Sequence, residues 1–343
     1  MIKYKKGVII IEVHMREAMN DFIIDEAVKL FNLDFIDRSD AKGFENFIYT
    51  VKKADVDYVL RFVHSDHREF NQILAEIEFI DYLYKNGANV AQIIKSKKRK
   101  ISEKISIDKD TYFTVTMFEM APGTYVKRDE VTPHFQKMFG GVVGRLHRLT
   151  KNYKPKHRRP HWYEDSLFVR AKEYLKEEDY FVLDKLNETI EAIKSLPSDK
   201  DSYGLIHTDL HFGNMYYHNG RLMIFDWDDS SYKHFMSDIA IIIFYMLGMN
   251  YDLDDDQKAD YTSKFFDNFC LGYLEENSMK FSWFEHLNTF LKLRELILYC
   301  VIHLEGDEFL ESEWAISYIK HYRDRIKNDI PFFDLKKAIN KKL

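Results

Sequence analysis

The chain has 343 residues, with 50 Lys plus Arg against 56 Asp plus Glu, a formal net charge of −6, and 45% hydrophobic and 15% aromatic residues. That is enough apolar material for a sizeable core in two lobes or domains, and the acidic balance argues against wholesale binding to nucleic acid or to a membrane surface. Only Cys270 and Cys300 are present, too few for a disulfide framework and in keeping with a reducing, cytoplasmic setting. The apolar run Val8 to Ile11 is cut by Glu12, too short for a signal-peptide core, and no run approaches the ~18–20 residues of a membrane span.

In chain order, a helix is expected from Glu17 to Phe31. Beyond Gly43-Phe44-Glu45-Asn46, the β-rich runs Phe47 to Val51 and Tyr58 to Val63 flank the turn-like Ala54-Asp55-Val56-Asp57 and predict a hairpin, whose second strand carries Arg61. Apolar residues at Phe70, Ile73, Leu74, Ile77, Ile80 and Leu83 predict one helix from Glu69 to Asn86, stopped at Asn86-Gly87. Glu76 and Glu78 lie about 200° apart on that helix, so only one of them can face the sheet. Val90 to Ser96 and Glu103 to Ile107 read as short strands around a basic hairpin turn, Lys97-Lys98-Arg99-Lys100, which is a solvated loop tip or, on the sharper reading, a nucleic-acid contact. The alternating, aromatic-rich Thr111 to Met120 reads as the last strand of this part and breaks at Pro122-Gly123. Pro133 to Thr150 is a helix whose Gly140, Gly141 and Gly144 each cost about 1 kcal/mol relative to Ala, so they imply close packing. Tyr153 to Asp165 is a basic, aromatic connector that either touches an anionic substrate group or covers surface.

The most informative stretch is Leu205-Ile206-His207-Thr208-Asp209-Leu210-His211-Phe212-Gly213-Asn214, followed by the apolar run Leu222 to Phe225 and by Asp226-Trp227-Asp228. Moving a nucleotide's γ-phosphoryl group requires an acceptor hydroxyl aimed in line at phosphorus and neutralisation of the developing charge, chiefly by magnesium. Asp209 suits acceptance of the hydroxyl proton. Asn214, past a tight turn eased by Gly213, can return an amide oxygen to Mg2+, and Asp226, at the end of the next strand, can supply the charged ligand. A lone D-x-x-x-x-N is common by chance; the His ahead of it, the hairpin behind it and the strand-terminal Asp-Trp-Asp give it weight. The chain has no G-x-G-x-x-G and no G-x-x-x-x-G-K-[ST], so a Rossmann or Walker-type site is not supported. Asp252, Asp254, Asp255 and Asp256 precede a helical pattern and suit a helix start, or else form a cage for a cationic substrate.

His-x-Asp-x-x-x-x-Asn from His207 to Asn214, with Ile224-Phe225-Asp226-Trp227-Asp228 and then Ser237-Asp238-Ile239-Ala240, resembles the aminoglycoside phosphotransferase and choline kinase group. That group also includes type II homoserine kinases, bacterial stress-response protein kinases and CotS-like spore-coat proteins. The resemblance implies an α+β, bilobal protein-kinase-like fold, with a small β-rich nucleotide-binding lobe over residues 1–120 and a larger, mainly helical catalytic and substrate-binding lobe over 121–343. It makes Asp209 the catalytic base and Asn214 and Asp226 the metal ligands. It assigns Gly43 and Asn46 to a Gly-x-x-Asn loop over the phosphates, and Arg61, where most kinases have Lys, to the α- and β-phosphates. Glu76 becomes the partner of Arg61, with Glu78 solvated, and the backbone of Glu119 and Met120 meets the purine edge. Taken alone, Gly43 is an ordinary turn glycine and Arg61 a solvated edge-strand residue. His147 and His207 are expected to brace the catalytic loop. Within the apolar stretch Phe290 to Leu304, which also holds Arg294, the candidates to face the acceptor are Glu295 and Tyr299. The Trp after Asp226, where protein kinases have Phe-Gly, speaks against a Phe-flip switch.

The activity these readings predict is Mg2+-dependent transfer from ATP, with GTP as an option, to a hydroxyl of a small molecule such as an aminoglycoside, an amino alcohol or a homoserine-like metabolite. A Ser/Thr protein kinase of the stress-response kind is the alternative within the same chemistry. A catalytically silent nucleotide-binding or spore-coat-like module is the alternative outside it. No nucleic-acid or membrane partner is expected.

Overall fold

A sheet whose central strands carry continuous buried runs defines the first part of the structure, a computed structural model that describes residues 13–37, 46–248 and 251–339. Helices α1 (Val13–Ala18) and α2 (Asp21–Phe31) precede strands β1 (Phe35–Ile36), β2 (Phe47–Lys53) and β3 (Val56–His64). The single helix expected from Glu17 to Phe31 is broken ahead of Asp21, because Asn20 turns out of the helix and its Oδ1 accepts the Ile23 N–H at 3.2 Å. An Asn side chain competes for backbone donors and so serves a cap better than a helix interior. After α3 (Phe70–Lys85) come β4 (Ile93–Ile94), β5 (Glu103–Ser106) and β6 (Tyr112–Glu119).

The sheet runs β1-β2-β3-β6, antiparallel throughout, with both β4 and β5 along the far edge of β6. The runs on either side of the basic turn therefore do not form the expected hairpin with each other: Ile93 lies opposite Phe118 and Glu103 opposite Val115. The Ser96 hydroxyl organises the detour, donating to Glu103 Oε1 at 2.6 Å while accepting from the Lys98 and Lys100 amides. Lys97, Lys98, Arg99 and Lys100 stay exposed as a loop tip.

Beyond β6 the chain is mainly helical. It passes through β7 (Thr124–Tyr125), α4 (Pro133–Thr150), the short α5 (Ser166–Val169) and α6 (Ala171–Tyr174), α7 (Phe181–Lys194), β8 (Tyr203–Ile206), β9 (Met215–His218), β10 (Arg221–Ile224) and β11 (Ser231–His234). It ends with α8 (Phe235–Ile243), α9 (Asp255–Glu276), α10 (Leu287–Leu304), α11 (Asp307–Leu310), α12 (Glu313–Lys327) and α13 (Leu335–Ile339). Two small sheets, β10-β9-β7 and β11-β8, carry the loops between β8 and β11. One apolar cluster sits on the large sheet around Phe31, Leu60, Phe62 and Phe113. The other fills the helical part, and α3 contributes Ile73, Ile77, Phe79 and Leu83 to it. The architecture is the expected α+β, bilobal one, with α3 as the element that ties the sheet to the helical lobe.

The α4 glycines do bring backbones together. A Cβ at Gly140 would lie 1.9 Å from Phe269 O, one at Gly144 2.6 Å from Tyr273 O, and one at Gly272 on α9 1.7 Å from Lys137 O. Gly141 differs, since its Cβ would meet Gly272 O at an ordinary 3.6 Å. Helix α10 runs through the helical core, and the expectation that Glu295 and Tyr299 face an acceptor is not met: they are 2% and 0% exposed, with Tyr318 of α12 donating to Glu295 O at 2.8 Å. Burial pushes the Glu295 carboxyl up to about 8, against the pull of Arg325, Lys292 and Lys258. Asp254 caps α9 by accepting the Gln257 N–H at 2.7 Å, and Asp255 and Asp256 pair with Arg325 and Lys337, so these acids start a helix rather than line a cage. No helix of the described residues is long and apolar enough to cross a membrane.

Gly272→Ala should lower stability by about 1–3 kcal/mol in urea unfolding, because the added methyl has to force two helices apart. Gly141→Ala should be neutral or stabilising by up to about 1 kcal/mol. Glu295 adds a pH signature. Its folded pKa near 8 lies above its ordinary 4.5, so the folded state holds the proton more tightly and its contribution is lost as pH rises from about 4.5 toward 8, on the order of 2–4 kcal/mol across that window. The stability gap in favour of Glu295→Gln over wild type should therefore widen from pH 5 to pH 8 in denaturant titrations.

Candidate active site

The loop from His207 to Asn214 leaves β8 and enters β9. It turns sharply at Thr208, whose φ of 65° is rare for a β-branched residue and costs about 1–3 kcal/mol. Asp238, in the first turn of α8, offsets that strain: its Oδ1 accepts the Thr208 N–H at 2.8 Å, and the Thr208 hydroxyl donates to Asp229 O at 2.6 Å. The other Asp238 oxygen meets His147 Nε2 at 3.3 Å, and His147 Nδ1 lies 2.9 Å from the Tyr273 hydroxyl, so His147 braces the loop from behind. Buried His207 accepts the Asp209 N–H on Nδ1 at 3.3 Å and donates from Nε2 to Phe225 O at 2.9 Å. Burial lowers its pKa and favours the neutral imidazole that this pair of bonds requires.

Asp209, placed in this way, has both carboxylate oxygens engaged. Oδ1 accepts from Arg294 Nη2 at 2.5 Å, while Oδ2 meets His211 Nε2 at 3.2 Å and accepts from Asn214 Nδ2 at 3.1 Å. Burial opposes its ionisation, yet Arg294 and then His211 hold the carboxyl well below the usual carboxylate range. Gly213 is required beneath it for a steric reason, since a Cβ there would lie 2.6 Å from the His211 ring. With its NH2 group turned to Asp209, Asn214 keeps its amide oxygen on the opposite side. The Phe225 N–H donates to Asn214 O at 3.1 Å, which brings Asp226 in next, just past the end of β10.

Asp226 adopts a φ of 61° and is exposed. Desolvation, then repulsion by Asp228 and Asp229, pushes its carboxyl up to about 7 against the pull of Arg61. An oxygen-only donor pair crowded by negative charge suits a hard dication.

Across the cleft, Arg61 in the middle of β3 and Glu76 on α3 form a fork-to-fork ion pair with both bonds at 2.8 Å and both side chains buried. Glu76 outweighs the desolvation of Arg61 and keeps the guanidinium ionised. The choice of Glu76 over Glu78 is correct, and Arg61 is not a solvated edge residue. Glu78, however, is not solvated either: it pairs with His157 Nδ1 at 3.1 Å, 19% exposed. The basic connector is a strut. Arg159, 1% exposed, donates to Ser230 O at 2.7 Å, to Gln72 O at 3.3 Å and to Asp228 O. His67 and Arg68 meet the Asp228 carboxylate at 2.8 and 3.3 Å, and Arg68 meets Asp229 at 3.0 Å. Trp227 is buried against His207 and Phe79, which leaves no room for a flipping aromatic switch.

The remaining expected residues fall as follows. Asn46 is 7% exposed with its Oδ1 buried and unpartnered among the described residues; Gly43 lies outside the described residues. The Glu119 amide, expected to be spare at the strand end, donates to Gln92 O at 2.8 Å, and Met120 follows just past β6. The sequence reading passes over Arg294 in favour of its neighbour Glu295. The signal was present, because a charged residue inside an apolar helix has to find a partner.

A β-rich lobe with a buried Arg–Glu pair, set above a helical lobe that gathers Asp209, Asn214 and Asp226, is the arrangement of a protein-kinase-like phosphotransferase. The chain belongs to the phosphotransferase enzyme family, whose sequence pattern matches residues 38–275, and it is a kinase with an alcohol group as acceptor. It is 30% identical over 290 residues to the amicoumacin kinase of Bacillus subtilis, covering 84% of this chain and 86% of that protein. It is also similar to the solved amicoumacin kinase hAmiN in complex with AMP-PNP, Ca2+ and Ami, with a TM-score of 0.85 and 28% identity over 94% of this chain and 98% of that one. Its fold matches that of a microcompartment-associated aminopropanol kinase as well, with a TM-score of 0.70 and 17% identity over 90% and 95% of the two chains.

Glu76→Ala would leave the Arg61 charge buried and uncompensated. Thermal or urea unfolding should register a loss of about 3–5 kcal/mol, whereas Glu78→Ala, at a half-open pair, should cost no more than about 1 kcal/mol.

Proposed function

We propose that the protein transfers the γ-phosphoryl group of ATP, in the presence of Mg2+, to a hydroxyl of a small molecule. The observation that carries this reading is the convergence of Asp209, Asn214 and Asp226 below the Arg61–Glu76 pair. Asp209 orients the acceptor hydroxyl and takes its proton. Arg61, held by Glu76, forks onto the α- and β-phosphates. Gly43 and Asn46 cover the phosphates, and the Glu119 carbonyl and Met120 amide meet the purine edge, with the lobes dividing near residue 120. Asn214 through its amide oxygen and Asp226 through its carboxylate would hold Mg2+, which when bound neutralises charge on the phosphates. Resemblance to amicoumacin kinases at 30 and 28% identity favours a small-molecule acceptor over a protein; an amino alcohol, a homoserine-like metabolite and an antibiotic are the classes to test.

The test is ADP release from ATP with Mg2+ across amicoumacin, aminoglycosides, aminopropanol, choline, homoserine and a generic protein acceptor. The expected result is release stimulated by one small-molecule class and reduced by about 10²–10⁴-fold in Asp209→Asn. Stimulation by the protein acceptor alone would replace the acceptor class. Asp209→Asn activity equal to wild type would overturn the assignment of the base.

A further inference from the structure

The acceptor side of the cleft holds a group that the phosphoryl-transfer machinery leaves unused. Arg294, on α10, is 8% exposed and donates from one terminal nitrogen to both Asp209 Oδ1 and the Tyr245 hydroxyl. Its guanidinium lies 5.0 Å over the Tyr245 ring, and that ring is 4.4 Å from the ring of His211. Its Nε is buried and makes no hydrogen bond among the described residues. Arg294, Tyr245 and His211 thus form one wall beside the carboxylate that has to receive the acceptor hydroxyl.

The geometry sets up a competition. Asp209 Oδ2 is already shared by His211 and Asn214, so an incoming hydroxyl is received at Oδ1, which accepts from Arg294 alone and has a lone pair left. A hydroxyl that binds there shares Oδ1 with Arg294, and once its proton passes to Asp209 the carboxyl no longer balances the guanidinium charge. An Arg cannot discharge itself by losing a proton, and a buried guanidinium stripped of its partner is strongly unfavourable. The acceptor has to replace what it takes. A planar group with one or two oxygens, held close to the reacting hydroxyl, matches the flat, multi-donor edge of a guanidinium.

We infer that Arg294 is the acceptor-recognition residue, and that the acceptor carries a carboxylate or carboxamide oxygen on the same short carbon chain as its reacting hydroxyl. This rests on the proposed role of Asp209 as the hydroxyl-binding carboxylate and narrows the acceptor class from hydroxyl compounds in general to hydroxy acids and hydroxy amides. Simple amino alcohols, which have no such oxygen, leave Arg294 unpaired and are the disfavoured class.

Matched pairs test this without requiring turnover. Homoserine and 3-aminopropan-1-ol, and serinamide and ethanolamine, differ mainly in the carboxylate or carboxamide. Calorimetric binding to the full chain with Mg2+ and a non-hydrolysable ATP analogue should favour the oxygen-bearing member of each pair by at least tenfold in wild type. The preference should fall below threefold in Arg294→Met and be intermediate in Arg294→Lys, which keeps the charge but loses the fork. Equal binding of the two members by wild type would overturn the inference, independently of how the variants fold. A preference that survives in a folded Arg294→Met would also overturn it, by placing recognition elsewhere. Parallel ADP-release assays separate the two claims: acceptor-stimulated release without the pairwise preference leaves the phosphotransferase reading intact and removes this one.

Discussion

Four carboxylates, Asp209, Asp226, Asp228 and Asp229, converge on one cleft, and the structure around them is organised to make that crowding tolerable. Desolvation first, then repulsion among them, pushes Asp226 up to about 7 and Asp229 up to about 6. Four arginines answer it, each from a different place in the chain. Arg61 comes from β3, Arg68 from the loop ahead of α3, Arg159 from the connector and Arg294 from α10. Asp209 and Asp228, which have arginines directly on their carboxylates, stay well below the usual range, while Asp226, with no such contact, does not, and Asp229 is raised even with Arg68 at 3.0 Å. The charge left over is concentrated where a phosphotransferase requires a dication.

The same contacts join the two lobes. His67 and Arg68 precede α3, and Arg159 reaches Gln72 on α3, yet all three end on the loop from Asp226 to Ser230. Trp227 sits under this net against Phe79 of α3 and His207 of the catalytic loop. His207 in turn bonds Phe225 O, so the His207–Asn214 loop and the Asp226–Ser230 loop share one imidazole. Displacing any one of these segments breaks hydrogen bonds in the other two. The site is therefore assembled by folding rather than by an aromatic flip.

How much of this is legible in the sequence depends on how local each signal is. The residues from His207 to Asp228 announce themselves, because their spacing is set by a turn and a hairpin that lie within one stretch of chain. Helix α3 and its inward glutamate follow from apolar periodicity, and the α4 glycines follow from their cost in a helix. The break at Asn20, the tandem placement of β4 and β5 along β6, and the burial of Glu295 do not follow. Each depends on a partner far away in sequence or on a single side chain, such as Ser96, choosing a backbone bond. Arg294 is the instructive case: nothing near it indicates that its partner is Asp209, 85 residues away along the chain.

Arg61 in the place of a lysine fits this electrostatic setting. A lysine buried among so many titrating groups has a charge that its surroundings can shift, as Lys233 illustrates, whose pKa burial and Arg294 bring down to about 8. A guanidinium stays protonated, and its planar fork occupies both oxygens of Glu76. The Arg61 cation is therefore fixed in charge and orientation across ordinary pH. Among the four carboxylates opposite it, Asp226 stands nearest to neutral pH.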